Sequence, residues 1–352
     1  MLAFIQHSGN ANFRYAVGMD AESSFHVFGD KLNLLIVPDL EGERAREVFR
    51  GEVLTYSDIG YHERRKRGVK NPLVESIVEL LRSRGVNEVA IPEDFPAKIA
   101  FLLRERMPVR VERSPFEKKR VIKTEREVEL IRNTCLACVD ALRFLTKIVR
   151  RRKRCEELRR LVELRLFSHG FLAEDTIVAS GVKTCQPHWK GYGEVRGHIV
   201  ADIFPKDRGS GYYGDFTRTV LLDADEEIVN MLKACIEAKE RAEKLVRPGI
   251  LARDIHHAVC DVLESYGYST LRNQKKKGEG FIHSTGHGVG LEVHEEPRIF
   301  ENEDRIEKGM VFTIEPGLYY RDVGGVRVED TIVVRESGAE VLTPCEDYVK
   351  LQ

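Results

Sequence analysis

The sequence lacks the features that mark membrane-spanning, secreted or nucleic-acid-binding proteins. Its 352 residues contain no apolar run as long as a membrane span, and no basic segment followed by a long apolar stretch opens the chain. Acidic and basic residues nearly balance at a net charge of −1, which argues against a general nucleic-acid surface. The seven cysteines are scattered and odd in number. We therefore expect reduced thiols and a cytoplasmic chain with no membrane or nucleic-acid partner.

Three local features could contradict this interpretation. Cys135 and Cys138 form a C-x-x-C that could be a redox or zinc site. They lie within a helical pattern with no preceding strand, which favours buried core cysteines. The basic runs Arg150–Arg154 and Lys275–Lys277 could bind nucleic acid, but such runs are more often solvated helix ends or loop tips.

The length indicates two domains. Residues 1–120 are expected to form a small α/β domain, with strands over Lys31–Val37 and Glu88–Ile91 and a helix over Leu73–Arg84. Neither a cluster of metal-ligand residues nor a glycine-rich phosphate loop is visible there. A charged connector, Phe116–Lys123, leads to a second domain over residues 121–352.

The second domain alternates helical and strand-like patterns. Thr124 is a plausible N-cap of a long helix, and acidic residues follow it where the helix dipole favours them. Further helices are predicted over Glu156–Ser168, Glu226–Val246 and Ala252–Tyr266. Strands are predicted over Thr176–Ala179, His198–Phe204, Phe216–Leu222, Met310–Ile314, Val326–Val334 and Glu340–Leu342.

A weak internal repeat places acidic residues at corresponding points of the second domain. Asp202 lies on a strand, and Asp215 opens the next strand thirteen residues later. Glu315 follows a strand, and Glu329 lies in the next predicted strand fourteen residues later. Two strand pairs packed together would bring four carboxylates to one point. The spacing alone is only suggestive.

Four converging carboxylates would repel one another unless cations neutralised them. Two divalent ions suit such a set, because carboxylates can bridge metals. An imidazole candidate is His287 in HSTGHGVGLEVHEEP, where it lies among glycines and between His283 and His294. Oxygen-rich sites with one histidine suit Mn²⁺, Co²⁺, Fe²⁺ or Zn²⁺, and the sequence does not choose among these.

Four ordered motifs resemble those of the pita-bread metallopeptidases, which include Xaa-Pro aminopeptidases, prolidases and methionine aminopeptidases. The motifs are GYYGDFTRT (211–219), GHGVGLEVHEEP (286–297), GMVFTIEPGLY (309–319) and GGVRVEDT (324–331). The resemblance covers the chain from about Lys123 onward. It implies an α+β protein with a creatinase-like N-terminal α/β domain and a pita-bread catalytic domain with a pseudo-twofold repeat.

The resemblance implies that five side chains bind two divalent metal ions: Asp202, Asp215, His287, Glu315 and Glu329. Asp215 and Glu329 would bridge the two ions. The family usually spaces its two aspartates eleven residues apart, so the gap of thirteen leaves Asp207 as a rival of Asp202. We prefer Asp202 because it lies in a strand-like run, and a longer loop after it is readily accommodated.

Further residues match family positions that act on the substrate. His188 and His294 would contact the substrate, His294 at the scissile carbonyl, and Glu315 would carry the proton toward the leaving nitrogen. His188 could instead be an ordinary surface-loop histidine. Arg327 could contact the substrate or pair with a ligand carboxylate. Trp189 could line the pocket or pack in the core.

The implied activity is hydrolysis of the peptide bond before a proline by a metallopeptidase, with Mn, Co or Zn as cofactor and a homodimer as the family expectation. The sequence does not distinguish a dipeptidase from an aminopeptidase acting on longer peptides. One alternative is a methionine aminopeptidase, but the N-terminal domain favours the proline-specific branch. A creatinase-like enzyme would lack the metal ligands. A non-catalytic peptide-binding protein of the same fold would need no metal.

Overall fold

The computed structural model describes residues 1–150 and 153–351, and these form two compact units, 1–120 and 121–352. Each unit has its own buried apolar cluster. Within the described residues, no helix has the length and apolar character needed to cross a membrane.

The first unit contains a six-stranded mixed sheet. Its strands are β1 (Leu2–His7), β2 (Phe25–Gly29), β3 (Leu32–Val37), β4 (Glu52–Thr55), β5 (Glu88–Ile91) and β6 (Val109–Val111). They lie in the order β4-β3-β2-β1-β5-β6, antiparallel from β1 to β3 and parallel elsewhere. The two predicted strands are therefore found as β3 and β5, and both are largely buried.

Six helices accompany this sheet. They are α1 (Ala11–Val17), α2 (Gly42–Val48), α3 (Tyr61–Lys66), α4 (Pro72–Ser83), α5 (Ala97–Arg104) and α6 (Pro115–Val121). The apolar face of α4 buries Val74, Ile77 and Leu81 in the core. The segment predicted as a charged connector is largely helical, because α6 covers most of it; Arg120 is buried there and donates to Asn12 Oδ1 at 2.9 Å.

The second unit begins with a long helix. Thr124 caps it, since its hydroxyl accepts from Glu127 N while the Glu127 carboxylate accepts from Thr124 N. The helices of this unit are α7 (Glu125–Ile148), α8 (Cys155–Ser168), α9 (Glu226–Leu245) and α10 (Ala252–Ser265). The four predicted helices are thus found. α7 begins directly after its predicted N-cap Thr124, and each of the other three has one end shifted by one residue.

Thirteen strands of the second unit are arranged in small sheets. They are β7 (Phe171–Leu172), β8 (Ile177–Ser180), β9 (His198–Asp202), β10 (Lys206–Asp207), β11 (Thr217–Leu221), β12 (Gly286–Gly288), β13 (Glu295–Ile299), β14 (Val311–Ile314), β15 (Gly317–Tyr320), β16 (Gly324–Arg327), β17 (Asp330–Arg335), β18 (Gly338–Val341) and β19 (Val349–Lys350). One sheet has the order β19-β11-β9-β8, and another has the order β13-β12-β14-β17-β18. Two further two-stranded sheets are β10-β7 and the hairpin β15-β16.

The predicted strand pairs are present, with one correction. β9 and β11 are antiparallel neighbours, and so are β14 and β17. The single strand predicted over Val326–Val334 is instead two strands, because β16 pairs with β15 while β17 pairs with β14. Glu329 lies between them and joins the other half of the unit through a bridge to Thr217.

The cysteines and basic runs are structurally unremarkable. All seven cysteines lie within the described residues and are free thiols, with Cys135 and Cys138 fully buried on α7. Lys275, Lys276 and Lys277 lie on an exposed loop. In the run Arg150–Arg154, residues 151 and 152 lie outside the described residues. The buried thiols agree with the core interpretation of the C-x-x-C.

Candidate metal centre

Strand ends bring acidic side chains together in the second unit. Asp202 is the last residue of β9, and Asp215 lies two residues before β11. Glu315 directly follows β14, and Glu329 directly precedes β17. Since β9 pairs with β11 and β14 with β17, each pair contributes two carboxylates at one end, and the Thr217–Glu329 bridge joins the two pairs.

Three side chains form a compact group of potential metal ligands. Ligand atoms of Asp215, His287 and Glu329 lie within 4.8 Å of one another. His287 Nε2 lies 3.6 Å from Asp215 Oδ2 and 3.5 Å from Glu315 Oε1. One imidazole nitrogen therefore faces carboxylates from both strand pairs.

The glycines beside His287 permit this close approach. A Cβ atom at Gly286 would lie 1.7 Å from the carbonyl oxygen of Thr313 on β14, and one at Gly288 would lie 2.2 Å from that of Glu296. A larger residue at either position would force β12 away from its neighbours. The Gly-His-Gly sequence is thus required by backbone packing that places the imidazole against Glu315.

Hydrogen bonds fix two of the acids. The Thr217 hydroxyl donates to Glu329 Oε2 at 2.6 Å, and Arg327 Nε donates to the same hydroxyl oxygen at 3.2 Å. Arg327 also donates to Asp202 Oδ2 at 2.5 Å and to the Tyr319 hydroxyl at 2.9 Å. Arg327 thus pairs with a predicted ligand carboxylate; a contact with substrate stays a prediction.

Burial and mutual repulsion shift the pKa values of these acids. Burial, followed by repulsion from Glu329 and Asp202, raises the pKa of Asp215 well above its ordinary value. Burial and the charge of Glu329 do the same to the pKa of Glu315. Burial and repulsion from Asp202 raise the pKa of Glu329 to about 7. Arg327 opposes all three shifts, but one cation does not balance four buried acids.

The histidines of the same region favour the neutral form. Burial, with His294 second, lowers the pKa of His287 to about 3. Burial and the charge of Arg327 lower the pKa of His283 to about 3. A neutral imidazole offers a lone pair to a metal, so His287 has the protonation state that a ligand needs.

The donor set therefore fits divalent metal ions. An excess of buried negative charge is stabilised by cations, and carboxylates with one imidazole suit Mn²⁺, Co²⁺, Fe²⁺ or Zn²⁺. Asp202 lies close enough to Asp215, Glu315 and Glu329 to raise the pKa of each. Its rival Asp207 lies on β10, where its carboxylate accepts from Ser210 N at 2.6 Å, and it contributes to none of these shifts.

Two of the remaining predicted residues, His294 and His188, lie near the histidines of this cluster. The rings of His294 and His287 are 4.2 Å apart and nearly perpendicular. His188 is exposed, yet its charge contributes to the lowered pKa of both His283 and His294, so it lies near them. Trp189 is partly exposed and packs edge-on against Tyr192 in the loop after β8, away from the buried apolar clusters.

Sequence reasoning missed two contributors. Thr217 links Glu329 to Arg327, and the Tyr319 hydroxyl lies between Arg327 and His283, 3.1 Å from His283 Nε2. Thr217 lies two residues after Asp215, so strand alternation could have placed it on the same face. Tyr319 lies four residues after Glu315 on a hairpin that the sequence pattern did not reveal.

Comparisons with known proteins identify the family of this chain. The model of metallopeptidase family M24 matches residues 129–336. The Xaa-Pro dipeptidase of Pyrococcus furiosus is 32% identical over 333 residues, covering 91% of this chain and 86% of that protein.

Solved structures have the same architecture. The prolidase of Pyrococcus horikoshii OT3 superimposes with a TM-score of 0.83 at 28% identity, covering 98% of this chain and 94% of that one. The X-Pro aminopeptidase of Thermotoga maritima MSB8 gives a TM-score of 0.85 at 24% identity, covering 99% and 97%, a likeness of fold. The predicted fold class and family resemblance are confirmed: this chain belongs to metallopeptidase family M24.

Proposed function

We propose that this metallopeptidase hydrolyses the peptide bond before proline, and that Xaa-Pro dipeptides are its preferred substrates. The observation that carries the proposal is the convergence of Asp215, His287 and Glu329 beside further buried carboxylates. The substrate comes from the relatives: Xaa-Pro dipeptidases of two Pyrococcus species are 32% and 30% identical over most of the chain.

Two divalent ions would be held by Asp202, Asp215, His287, Glu315 and Glu329. Bound divalent ions supply Lewis acidity and lower the pKa of water. We favour Mn²⁺, with Co²⁺ and Zn²⁺ as alternatives, because the donors are mostly oxygen.

The chain's own residues move protons and stabilise charge around this centre. Glu315 lies at the end of β14, 3.5 Å from His287 Nε2, where its carboxylate could take up a proton and return it to the leaving nitrogen. The ring of His294 lies 4.2 Å from that of His287, and its neutral imidazole retains one N–H that can donate to the developing oxyanion. His188 would assist.

Two rival functions are less well supported. A methionine aminopeptidase shares the catalytic core, but the relatives named above match across both units of this chain. A non-catalytic binding protein would not need four buried acids whose repulsion raises the pKa of three of them. We propose a cytoplasmic homodimer, supported by the seven free thiols and by the family resemblance.

The substrate proposal is tested with a mixture of peptides. Purified protein with Mn²⁺ is incubated with Ala-Pro, Ala-Pro-Ala and Met-Ala-Ser, and all three are followed by mass spectrometry. We expect Ala-Pro to disappear first. Loss of Ala-Pro-Ala alone would indicate an aminopeptidase, and loss of Met-Ala-Ser alone a methionine aminopeptidase. If no peptide is cut with Mn²⁺, Co²⁺ or Zn²⁺, the hydrolase proposal is wrong.

Replacing His294 by alanine should lower kcat for Ala-Pro by about 10²-fold, the usual effect of removing one donor to an oxyanion. Metal content should stay unchanged, because His294 is not among the five proposed ligands. Steady-state kinetics and metal analysis of the same sample check both points. His169→Ala, which removes an exposed histidine at the end of α8, serves as the control and should keep full activity. A loss of metal in His294→Ala would instead make this residue a ligand.

A further inference from the structure

A second buried charged cluster lies behind the carboxylates of the metal centre. Thr217 and Arg218 are adjacent in sequence, and so are Glu329 and Asp330. In each pair the two side chains point to opposite sides of the backbone, as strand alternation requires. Thr217 and Glu329 contact each other on the metal side. Arg218 and Asp330 form an ion pair of 2.8 Å on the other side.

Arg218 is fully buried and bonds directly to the backbone of a proposed ligand. Its Nη1 donates to the carbonyl oxygen of Glu329 at 2.5 Å and to that of Thr217 at 3.1 Å. The Glu329 amide donates to the same Thr217 carbonyl at 3.0 Å. Glu329 lies outside any strand, so these bonds, with the Thr217 hydroxyl, hold it where β16 gives way to β17.

The same guanidinium also contacts residues 345–347. It donates to the carbonyl oxygens of Cys345 and Glu346 at 3.2 and 3.1 Å and lies 2.9 Å from Asp347 Oδ1. Its planar group also packs 4.4 Å above the ring of Phe216. The five N–H groups of the guanidinium match its five hydrogen bonds, which reach Asp330 Oδ1 and the carbonyl oxygens of Thr217, Glu329, Cys345 and Glu346. A lysine ammonium has three donors and could not replace them all.

Lys239 on α9 supplies a second cation to this cluster. It pairs with Asp330 Oδ2, and lies 3.1 Å from both Asp347 Oδ1 and Glu243 Oε1. The Thr343 hydroxyl donates to Asp330 Oδ1 at 2.7 Å. Arg218, Lys239 and Thr343 thus all bind the carboxylate of Asp330, and these contacts fix the adjacent backbone at Glu329.

We propose that Arg218, Asp330 and Lys239 are positioning residues that hold Glu329 in the geometry required for metal binding. The inference rests on the proposed function, because it assumes that Glu329 is a ligand. Groups that orient metal ligands without touching the metal commonly change metal affinity by ~10–100-fold when they are replaced. The network therefore tunes affinity for the ions rather than contacting substrate.

The test uses two variants. Arg218→Lys keeps the positive charge but loses the planar guanidinium and its donors, and Lys239→Met removes the charge but keeps much of the aliphatic side chain. Lys244→Met is the matched control, since Lys244 lies on the same helix but is exposed and pairs with Glu240 at the surface. Binding of Mn²⁺ to chelator-treated protein is measured by calorimetry, together with the Tm of each metal-free variant. We expect Mn²⁺ to bind about 10–100-fold more weakly to Arg218→Lys and Lys239→Met and with wild-type affinity to Lys244→Met.

A merely structural role would lower the metal-free Tm and leave Mn²⁺ affinity within twofold of wild type, which would overturn the inference. If Arg218→Lys does not fold, Lys239→Met decides the question by the same criterion. Wild-type protein that binds no divalent ion would refute the proposed metal centre itself. Wild-type binding together with unaltered binding by the folded variants would refute only the positioning role.

Discussion

Replacing Asp215 by asparagine is expected to abolish hydrolysis of Xaa-Pro peptides while making the metal-free protein more stable. Asp215 is buried among Glu329, Asp202 and Glu315, and its pKa is raised well above the ordinary value mainly by burial. The asparagine removes a proposed bridging ligand. Since a metal ion contributes several kcal/mol of transition-state stabilisation, and each 1.36 kcal/mol is a factor of ten, kcat/KM should fall at least ~10³-fold.

Stability should change in the opposite direction because the negative charge of Asp215 is unfavourable without metal. Neutral replacement of poorly compensated buried charge often gains ~1–4 kcal/mol, so the metal-free Tm should rise by a few degrees. Metal analysis, kinetics and thermal unfolding with a chelator measure the three effects. Asp207→Asn makes the same chemical change outside the cluster and should behave as wild type. An Asp215→Asn protein with full activity would remove Asp215 from the centre.

The predicted fall in activity and rise in metal-free stability distinguish a metal ligand from an acid with a structural role. If the aspartate stabilised the fold through hydrogen bonds, the asparagine variant would lose both activity and stability. A ligand carboxylate held among like charges lowers the free energy of unfolding of the metal-free protein, and its replacement by a neutral side chain removes that repulsion. Reduced stability in metal-free Asp215→Asn would therefore argue that the acid has partners beyond the metal ions.

The sequence was sufficient for the elements that carry local signals. The capping residue Thr124 and the apolar spacing of α4 predicted helices close to their observed bounds, because a cap and one buried face are local properties. Four of the five proposed ligands lie in the ordered motifs that carried the family resemblance, and Asp202 was preferred over Asp207 because it lies in a strand-like run. The spacing of the acids suggested the repeat of two strand pairs but was not sufficient to establish it.

Contacts between distant segments could not be predicted in the same way. The division of the Val326–Val334 run into β16 and β17 depends on partners in β14 and β15, and β-strand patterns do not encode partners. The helix over Pro115–Val121 was missed because its charged face dominated the composition. Arg218 is an arginine within a strand-like run, and only its tertiary neighbours reveal that it is fully buried.

Binding of Mn²⁺ should weaken steeply as the pH falls from 7 to 5. Glu329 has a pKa raised to about 7, and the pKa values of Asp215 and Glu315 are raised well above ordinary values, in each case first by burial. A metal ion must displace any proton that these carboxylates carry. One displaced proton weakens affinity up to tenfold per pH unit below the pKa, so Glu329 alone predicts a loss of about 10²-fold over this range.

Histidine protonation should contribute little to this loss. Burial lowers the pKa of His287 to about 3, so its imidazole stays neutral and available to metal throughout the range from pH 7 to 5. Calorimetric titration at pH 6 in two buffers with different ionisation enthalpies will count the protons released. We expect about one proton from Glu329, and more if Asp215 and Glu315 are also protonated. Affinity that is constant between pH 5 and 7, with no proton release, would mean that the four acids are already ionised in the metal-free protein. In that case Arg327 would have to compensate their charge far better than its single guanidinium allows.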